Sequence, residues 1–372
     1  MRIGIDARLI YYQRAGIASY IVGLLQGIAS LNTKHEYLVL KSRKDREDLK
    51  LPSNFHYRSL WTPCHHRFER IALATELFGV ELDVLHSPDF IPPERIFGNR
   101  KSVITVHDLA YLKYPEVLTP ESQRYYGQIG PAVEEADAVI AVSENTKRDL
   151  MALLDAPESK IVVIPEAPDE LFEPNKEPTT LHEMIVRLRI RQPYFLVVGT
   201  IEPKKNLGTL LRAYGKLREI GRSANNLPEL VVAGREGWLF KDVFSLVEEL
   251  RLSDHVHFLG PVTQRDLVLL YSGAMALTYP SLYEGFGLPI LEAMACGCPV
   301  ITSNISSLPE VAGEDAITID PRDIDALTQA LNRIWSSPEL RADLRRKGIA
   351  RAKLFSWRKT AEATLHVYES LA

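Results

Sequence analysis

The chain has 372 residues, 46% of them apolar and 25% charged, with a formal net charge of −4. That length exceeds one ordinary core and suits two domains of roughly 150–200 residues each. The slightly acidic balance argues against a partner gripped by its phosphate backbone, so no nucleic acid is expected, and no apolar run is long enough to span a bilayer.

The opening, MRIGIDARLI, reads as a strand with a charged tail and lacks the apolar core and cleavage site of a signal peptide. The three cysteines, Cys64, Cys296 and Cys298, form an odd, sparse set that suits a reducing compartment. The cytoplasm is therefore the expected location.

In the first half, Arg2–Asp6, Tyr37–Lys41, Val84–His86, Ser102–Val106, Ala138–Val142 and Ile161–Ile164 read as strands. Gly16–Leu31, Pro131–Ala136 and Glu144–Leu154 read as helices between them, with Ser143 as a cap. Alternating strands and helices imply βαβ units and a parallel sheet. The stretch Cys64–Gly79 reads as an amphipathic helix with a basic, aromatic start, a pattern found on protein surfaces and on anionic membranes.

The segment LFEPNKEPTT, from Leu171, reads as a linker. The pattern then restarts. Tyr194–Val198, Glu229–Ala233, His255–Leu259, Ala274–Tyr279, Pro299–Ser303 and Ala316–Ile319 are the expected strands, and Leu207–Ile220 and Lys241–Arg251 expected helices. Trp357–Leu371 is a closing amphipathic helix. The expected fold is α/β with two doubly wound domains facing a central cleft, and ligands in such folds bind beyond the carboxyl ends of the strands.

The densest signal is YPSLYEGFGLPILEAMACGCPVIT, Tyr279–Thr302. It reads as a strand end, a glycine loop and a helix starting near Pro289 and stopping at Gly297. Gly285 and Gly287, with Phe286 and Leu288 in the same loop, allow backbone N–H groups to approach a ligand. The helix start adds donors and a positive dipole end that suit a phosphate. Glu292, about one turn in, is placed to accept from a ribose diol, and Glu284, before the glycines, from sugar hydroxyls. Either carboxylate alone reads equally well as an acid near a helix start.

Two further loops follow strands. In GTIEPKKN, Lys204 and Lys205 lie between a strand end and a helix that Asn206 is expected to cap, a suitable seat for a diphosphate. His107 follows Ser102–Val106 directly, with Asp108 fixing its loop, although a capped strand end reads the same way. His86 reads as a satisfied polar residue at a strand end. Gly16 opens the first helix after the loop Ile10–Ala15. Asp323-Ile324-Asp325 has the spacing of a metal-binding acid pair but reads as a helix start. Cys296 and Cys298 lack a partner at ligand spacing. No essential metal is expected.

The Glu284–Glu292 pair around GFGLPILE resembles the paired-glutamate motif of the group 1 (family 4) retaining glycosyltransferases. The likeness covers nearly the whole chain, through GIDARLI…GIASYI, DVLHSPDFIPP, ITVHDLAYLKYPE, AVSENTKRDL, FLVVGTIEPKKNLGTLL, VVAGREGW and FSWRKTAEATLHVYESL. It implies a two-domain GT-B fold. Residues 1–170 with 356–372 would bind the acceptor and residues 171–355 the nucleotide-sugar donor.

It also implies that Lys205 meets the diphosphate, that His107 lies by the transferred sugar and contacts it through its neutral ring or backbone, and that Gly16 lines an acceptor or phosphate loop. Thr200 stands where many members carry arginine, so neutralisation would fall more heavily on Lys205, helped by Lys204 or Arg235. The departing phosphate would take the acceptor's proton. The implied reaction moves a hexose to a glycan or lipid-linked acceptor in polysaccharide synthesis. GTIEPKKNL and AGREGW resemble members using GDP-mannose, with UDP-glucose the competitor. Lipid-acceptor members touch membranes with this domain, so peripheral contact at the inner membrane face is a lesser expectation. A nucleotide-sugar epimerase and a non-catalytic binding module are the rival readings.

Overall fold

A computed structural model describes residues 1–12, 16–95, 100–114, 125–175, 177–221, 227–237 and 241–372. The chain divides into two compact units, Met1–Ala167 with Phe355–Ala372, and Pro168–Leu354. The expected boundaries, 170/171 and 355/356, lie within three residues of these.

The first unit carries seven strands: β1 (Arg2–Asp6), β2 (Glu36–Ser42), β3 (Phe55–Leu60), β4 (Val84–Ser87), β5 (Lys101–Val106), β6 (Ala138–Ala141) and β7 (Ile161–Val163). They form one parallel sheet in the order β3-β2-β1-β4-β5-β6-β7. Ile5 on β1 lies opposite His86 on β4, and there the strand order reverses.

The central strands are buried along their length, as expected for a sheet covered on both faces. Ile3, Ile5, Ile21, Leu24, Val84, Val103 and Ile140 make the core on one side. The last helix, Trp357–Ser370, closes that core against helix Ile17–Ala29. Their backbones approach closely because Gly23 and Gly27 face Trp357; a Cβ on Gly23 would lie 2.1 Å from its ring.

The second unit has β8 (Tyr194–Val198), β9 (Glu229–Ala233), β10 (Val256–Gly260), β11 (Ala276–Tyr279), β12 (Val300–Ser303) and β13 (Ile317–Ile319). These run parallel in the order β10-β9-β8-β11-β12-β13, with the reversal between β8 and β11. Phe195, Leu210, Tyr214, Leu230, Val232, Ile301, Leu327 and Leu331 form its core. Among the described residues no helix is long and apolar enough to cross a membrane.

Three local readings need correction. Cys64–Gly79 is helical only over Glu69–Glu76, where Glu69 and Arg70 turn inward, Glu69 to Arg8 and Arg70 to the Pro92 carbonyl, instead of continuing a surface stripe. Part of the expected linker is helix Pro178–Leu188, whose first turn contains the proline that had suggested a break. Asn206 does not cap helix Leu207–Ile220. It sits in the left-handed region, and its amide donates to the carbonyls of Pro280 and Pro321. Ser143 does cap its helix, accepting from Thr146 N at 3.0 Å. Asp323 caps helix Ile324–Ser336 through Ala326 N, which accounts for the acid pair there.

Candidate active site

In the second unit the switch point between β8 and β11 is open. Val198, Gly199 and Thr200 at the end of β8, Tyr279 and Pro280 at the end of β11, and Lys205 line a pocket with about 300 Å3 of empty space. Crevices at such reversals are where doubly wound sheets bind ligands.

Lys205 reaches back from a short 3-10 turn, Pro203–Lys205. Two of its three ammonium donors are engaged, with Tyr279 Oη at 2.8 Å and Glu284 Oε1 at 2.5 Å. Glu284 is 7% exposed. Burial works against its charge, but Lys205 and then Lys204 hold its carboxyl below the usual range. Sequence reasoning had assigned Lys205 and Glu284 separate duties; the structure makes them one buried ion pair. Lys204 itself lies 3.6 Å from Glu202.

The loop carrying Glu284, Gly285, Phe286 and Gly287 is pinned by two serines that the sequence reading missed. Ser306 Oγ accepts from Glu284 N at 3.0 Å and donates to Glu284 O at 2.7 Å. Ser307 Oγ meets the carbonyls of Glu284 and Phe286 at 2.9 and 2.7 Å. Adjacent serines at the start of helix Leu308–Ala312 read as ordinary cap residues, so only tertiary placement reveals this role.

Gly287 has φ of +110°, which disfavours any side chain there, and a Cβ would also lie 2.9 Å from Leu308. Helix Leu288–Ala295 follows at once, with Pro289 in its first turn and Gly297 just past its end. Glu292 projects from its second turn and accepts from Tyr271 Oη at 3.0 Å. Tyr271 is fully buried, and burial followed by the Glu292 charge pushes its phenol well above the ordinary value, so it stays a donor.

Thr200 lines the pocket wall. Arg235 is exposed on the loop after β9, its carbonyl accepting from Ile201 N at 2.9 Å. The neighbouring Trp238 lies outside the described residues.

The first unit holds His107. Its Nδ1 meets Glu166 Oε1 at 2.8 Å and its Nε2 meets Pro88 O at 2.9 Å. A carboxylate at one nitrogen and a carbonyl at the other favour the doubly protonated ring. Burial opposes that charge, but the hydrogen bond and charge of Glu166 overcome it and raise the pKa. His86 is neutral, its pKa pushed down to about 3 by burial and then by His107, and it is satisfied by Tyr368 Oη at 2.6 Å and Thr105 Oγ1 at 2.8 Å. Gly16 has φ of +57° and open space around it. Of its expected loop, residues 13–15 lie outside the described residues.

Residues 183–351 match the family model for glycosyl transferases group 1, and residues 14–169 that for Glycosyltransferase Family 4. Over 290 residues the chain is 33% identical to the O-antigen chain mannosyltransferase B of Escherichia coli, covering 77% of this chain and 74% of that one. The chain is a group 1, family 4 glycosyltransferase. This glycosyltransferase is also 28% identical over 275 residues to a serotype-specific mannosyltransferase of E. coli, covering 73% of this chain but only 34% of that protein. Among solved structures, sucrose-phosphate synthase from Thermosynechococcus elongatus superposes with a TM-score of 0.79 at 22% identity, covering 100% of this chain and 99% of that one. The fold is GT-B.

Proposed function

We propose that this glycosyltransferase moves a hexose, with retention of the anomeric configuration, from a nucleoside diphosphate sugar to a glycan or lipid-linked acceptor. The observation that carries the reading is the Lys205–Glu284 pair at the β8/β11 switch point, beside the starts of helices Leu207–Ile220 and Leu288–Ala295. Lys205 neutralises the departing diphosphate, assisted by Lys204, and helix N–H groups complete the anion seat. As Lys205 turns to the diphosphate, Glu284 is freed to orient the hexose. Glu292, aimed by Tyr271, holds the ribose. His107 acts as a positioning residue within the first unit, because its ring nitrogens are already occupied.

The donor is proposed to be GDP-mannose, with UDP-glucose as the competitor, and catalysis to need no resident metal because Lys205 supplies the local positive charge. The relatives named mannosyltransferases support the mannose reading. Thermal shift of the purified protein against GDP, UDP and ADP and their sugar conjugates, all with EDTA, tests this directly, since a ligand bound only by the folded state raises its stability. A rise with GDP alone is expected. No rise with any nucleotide removes the donor site. Mass balance separates transfer from epimerisation, because an epimerase converts donor without acceptor.

We also propose a cytoplasmic location with peripheral contact at the inner membrane face. Trp61 and Phe78 are 71% and 66% exposed, and Phe68 and Ile71 are exposed as well. Arg43 and Arg67 lie over the rings of Trp61 and Phe68. Such a mixed basic and aromatic surface suits an anionic interface. Sedimentation with anionic liposomes should carry the protein down, less so after Trp61→Ala; no binding removes the proposal.

A further inference from the structure

The closing helix, Trp357–Ser370, buries a face that is not purely apolar. Alongside Ala361 and Leu365 it turns Thr360, Thr364 and Tyr368 inward, spaced four residues apart on one stripe, and each is at most 4% exposed. A buried hydroxyl is costly unless a partner satisfies it. Thr364 spends its hydroxyl within the helix, donating to Thr360 O at 2.7 Å. Thr360 and Tyr368 reach outside the helix, and so does Trp357 at its start.

Three routes lead from these residues to the two neighbours of His107, Glu166 and Tyr20. Thr360 Oγ1 donates to Pro165 O at 2.8 Å, and the next residue, Glu166, holds His107 Nδ1 at 2.8 Å. Trp357 lies edge-on to Tyr20, with ring centres 5.7 Å apart, and Tyr20 lies edge-on to the His107 ring at 4.8 Å. Gly23 and Gly27 admit that approach, since a Cβ on either would overlap Trp357. Tyr368 Oη meets His86 Nδ1 at 2.6 Å, His86 Nε2 meets Thr105 Oγ1 at 2.8 Å, and Thr105 Oγ1 meets Tyr20 Oη at 3.2 Å.

Tyr20, His86, Thr105 and Tyr368 are all fully buried. Neutral His86 donates from one nitrogen and accepts at the other, so it orders the hydroxyls on either side. Satisfied polar networks of this kind, away from water, hold their members in one arrangement. The groups acting on His107 are the Glu166 and Asp89 carboxylates, neutral His86, and the Tyr20 phenol, which burial and then the Glu166 charge keep protonated.

We infer that the closing helix positions His107. Thr360 sets Glu166 on one side of the ring, and Trp357 and Tyr368 set Tyr20 on the other. The consequence for turnover rests on the role of His107 proposed above, whereas the placement itself does not.

Proton and nitrogen NMR of the histidine rings in the full chain reads the placement. In Thr360→Val the His107 midpoint should fall by about half a pH unit, part of the roughly 1–3 that a close opposite charge supplies, because Glu166 is held less firmly to the ring. Thr360→Ser, which keeps the hydroxyl, should restore it. Thr364→Val, on the same buried stripe but with its hydroxyl spent within the helix, should leave the midpoint at the wild-type value. In Tyr368→Phe the nitrogen resonances of His86 should shift, and the His107 ring protons, which lie against Tyr20, should shift with them. Damage to the fold alone lowers Tm without moving these resonances in the folded protein.

Coincident His107 midpoints in wild type and Thr360→Val overturn the inference, as does an equal fall in Thr364→Val. Should Thr360→Val not fold, Tyr368→Phe decides, and unmoved His107 ring protons overturn it. GDP release from GDP-mannose on the same samples reads the consequence. In Thr360→Val, kcat should fall about tenfold with KM kept within about twofold, the sign of a misplaced group and not of lost binding. Shifted resonances with unchanged kcat would leave the placement standing and remove His107 from the transfer.

Discussion

The Lys205 ammonium lies 2.5 Å from Glu284 Oε1, and both side chains are largely withdrawn from solvent. Removing one member of such a pair strands the other, which typically costs about 3 kcal/mol or more. Lys205→Ala should therefore lower Tm as well as abolish turnover. In the wild type the depressed Glu284 stabilises the fold above the ordinary carboxylate value, and that contribution is lost as pH falls through the depressed one. Without Lys205 the carboxylate is penalised near neutrality and relieved by protonation. The Tm gap between wild type and variant should therefore narrow from pH 7 to about pH 4. A gap independent of pH would show that the pair is not what the lysine supplies.

Glu284 and Glu292 separate by partner. Glu292 is tied to Tyr271, outside the lysine pair. Glu292→Ala should weaken nucleotide binding about tenfold or more, the scale of charge-assisted hydrogen bonds lost from a ribose. Tyr271→Phe should weaken it less, by loosening the carboxylate. Glu284→Gln should slow turnover yet keep nucleotide affinity, or raise it, because Lys205 is released to the diphosphate. Calorimetric titration with GDP measures all three. Equal affinity loss in the two glutamate variants would end this division of roles.

Much of this was legible in the residues because buried parallel strands leave near-continuous apolar runs, and β6 shows one plainly. The edge strand β3, FHYRSL, was missed because three of its six residues are exposed and basic or polar. Helix Pro178–Leu188 was hidden by a proline that starts helices as readily as it breaks them. At the site, the glycine loop and both glutamates could be read because their chemistry is local. The Lys205–Glu284 pair, the Ser306–Ser307 clasp and the Glu166 partner of His107 join residues far apart in sequence, and no local pattern encodes them.

His107 offers a pH signature. Its raised pKa means that its contribution to stability is fully present below about 6.5, the ordinary histidine value, and is lost as pH rises through the folded-state value. In Glu166→Gln the largest raising influence is gone, and burial is opposed only by the Pro88 carbonyl and the Asp89 charge, so the midpoint should fall. Proton NMR of the His107 ring in both proteins reads the two midpoints. Coincident midpoints would mean that Glu166 does not hold the imidazolium. The stability lost in Glu166→Gln should be greatest near pH 6 and shrink toward alkaline pH.

Two glycines on helices should respond in opposite directions. Gly215, within helix Leu207–Ile220, has nothing within 4 Å of the place a methyl group would take, so Gly215→Ala should stabilise by about 0.5–1 kcal/mol through backbone entropy alone. A Cβ on Gly23 would fall 2.1 Å from the Trp357 ring. Gly23→Ala must push the closing helix off the first unit or force Trp357 out of its rotamer, and overpacking of this kind costs about 1–3 kcal/mol. Because Tyr368 on that helix also holds His86 at 2.6 Å, a displaced helix would leave a buried imidazole without its partner and deepen the loss. Denaturant unfolding of both variants should therefore show Gly215→Ala above the wild type and Gly23→Ala well below it, with Trp357→Ala recovering part of the Gly23→Ala defect if the clash is the cause.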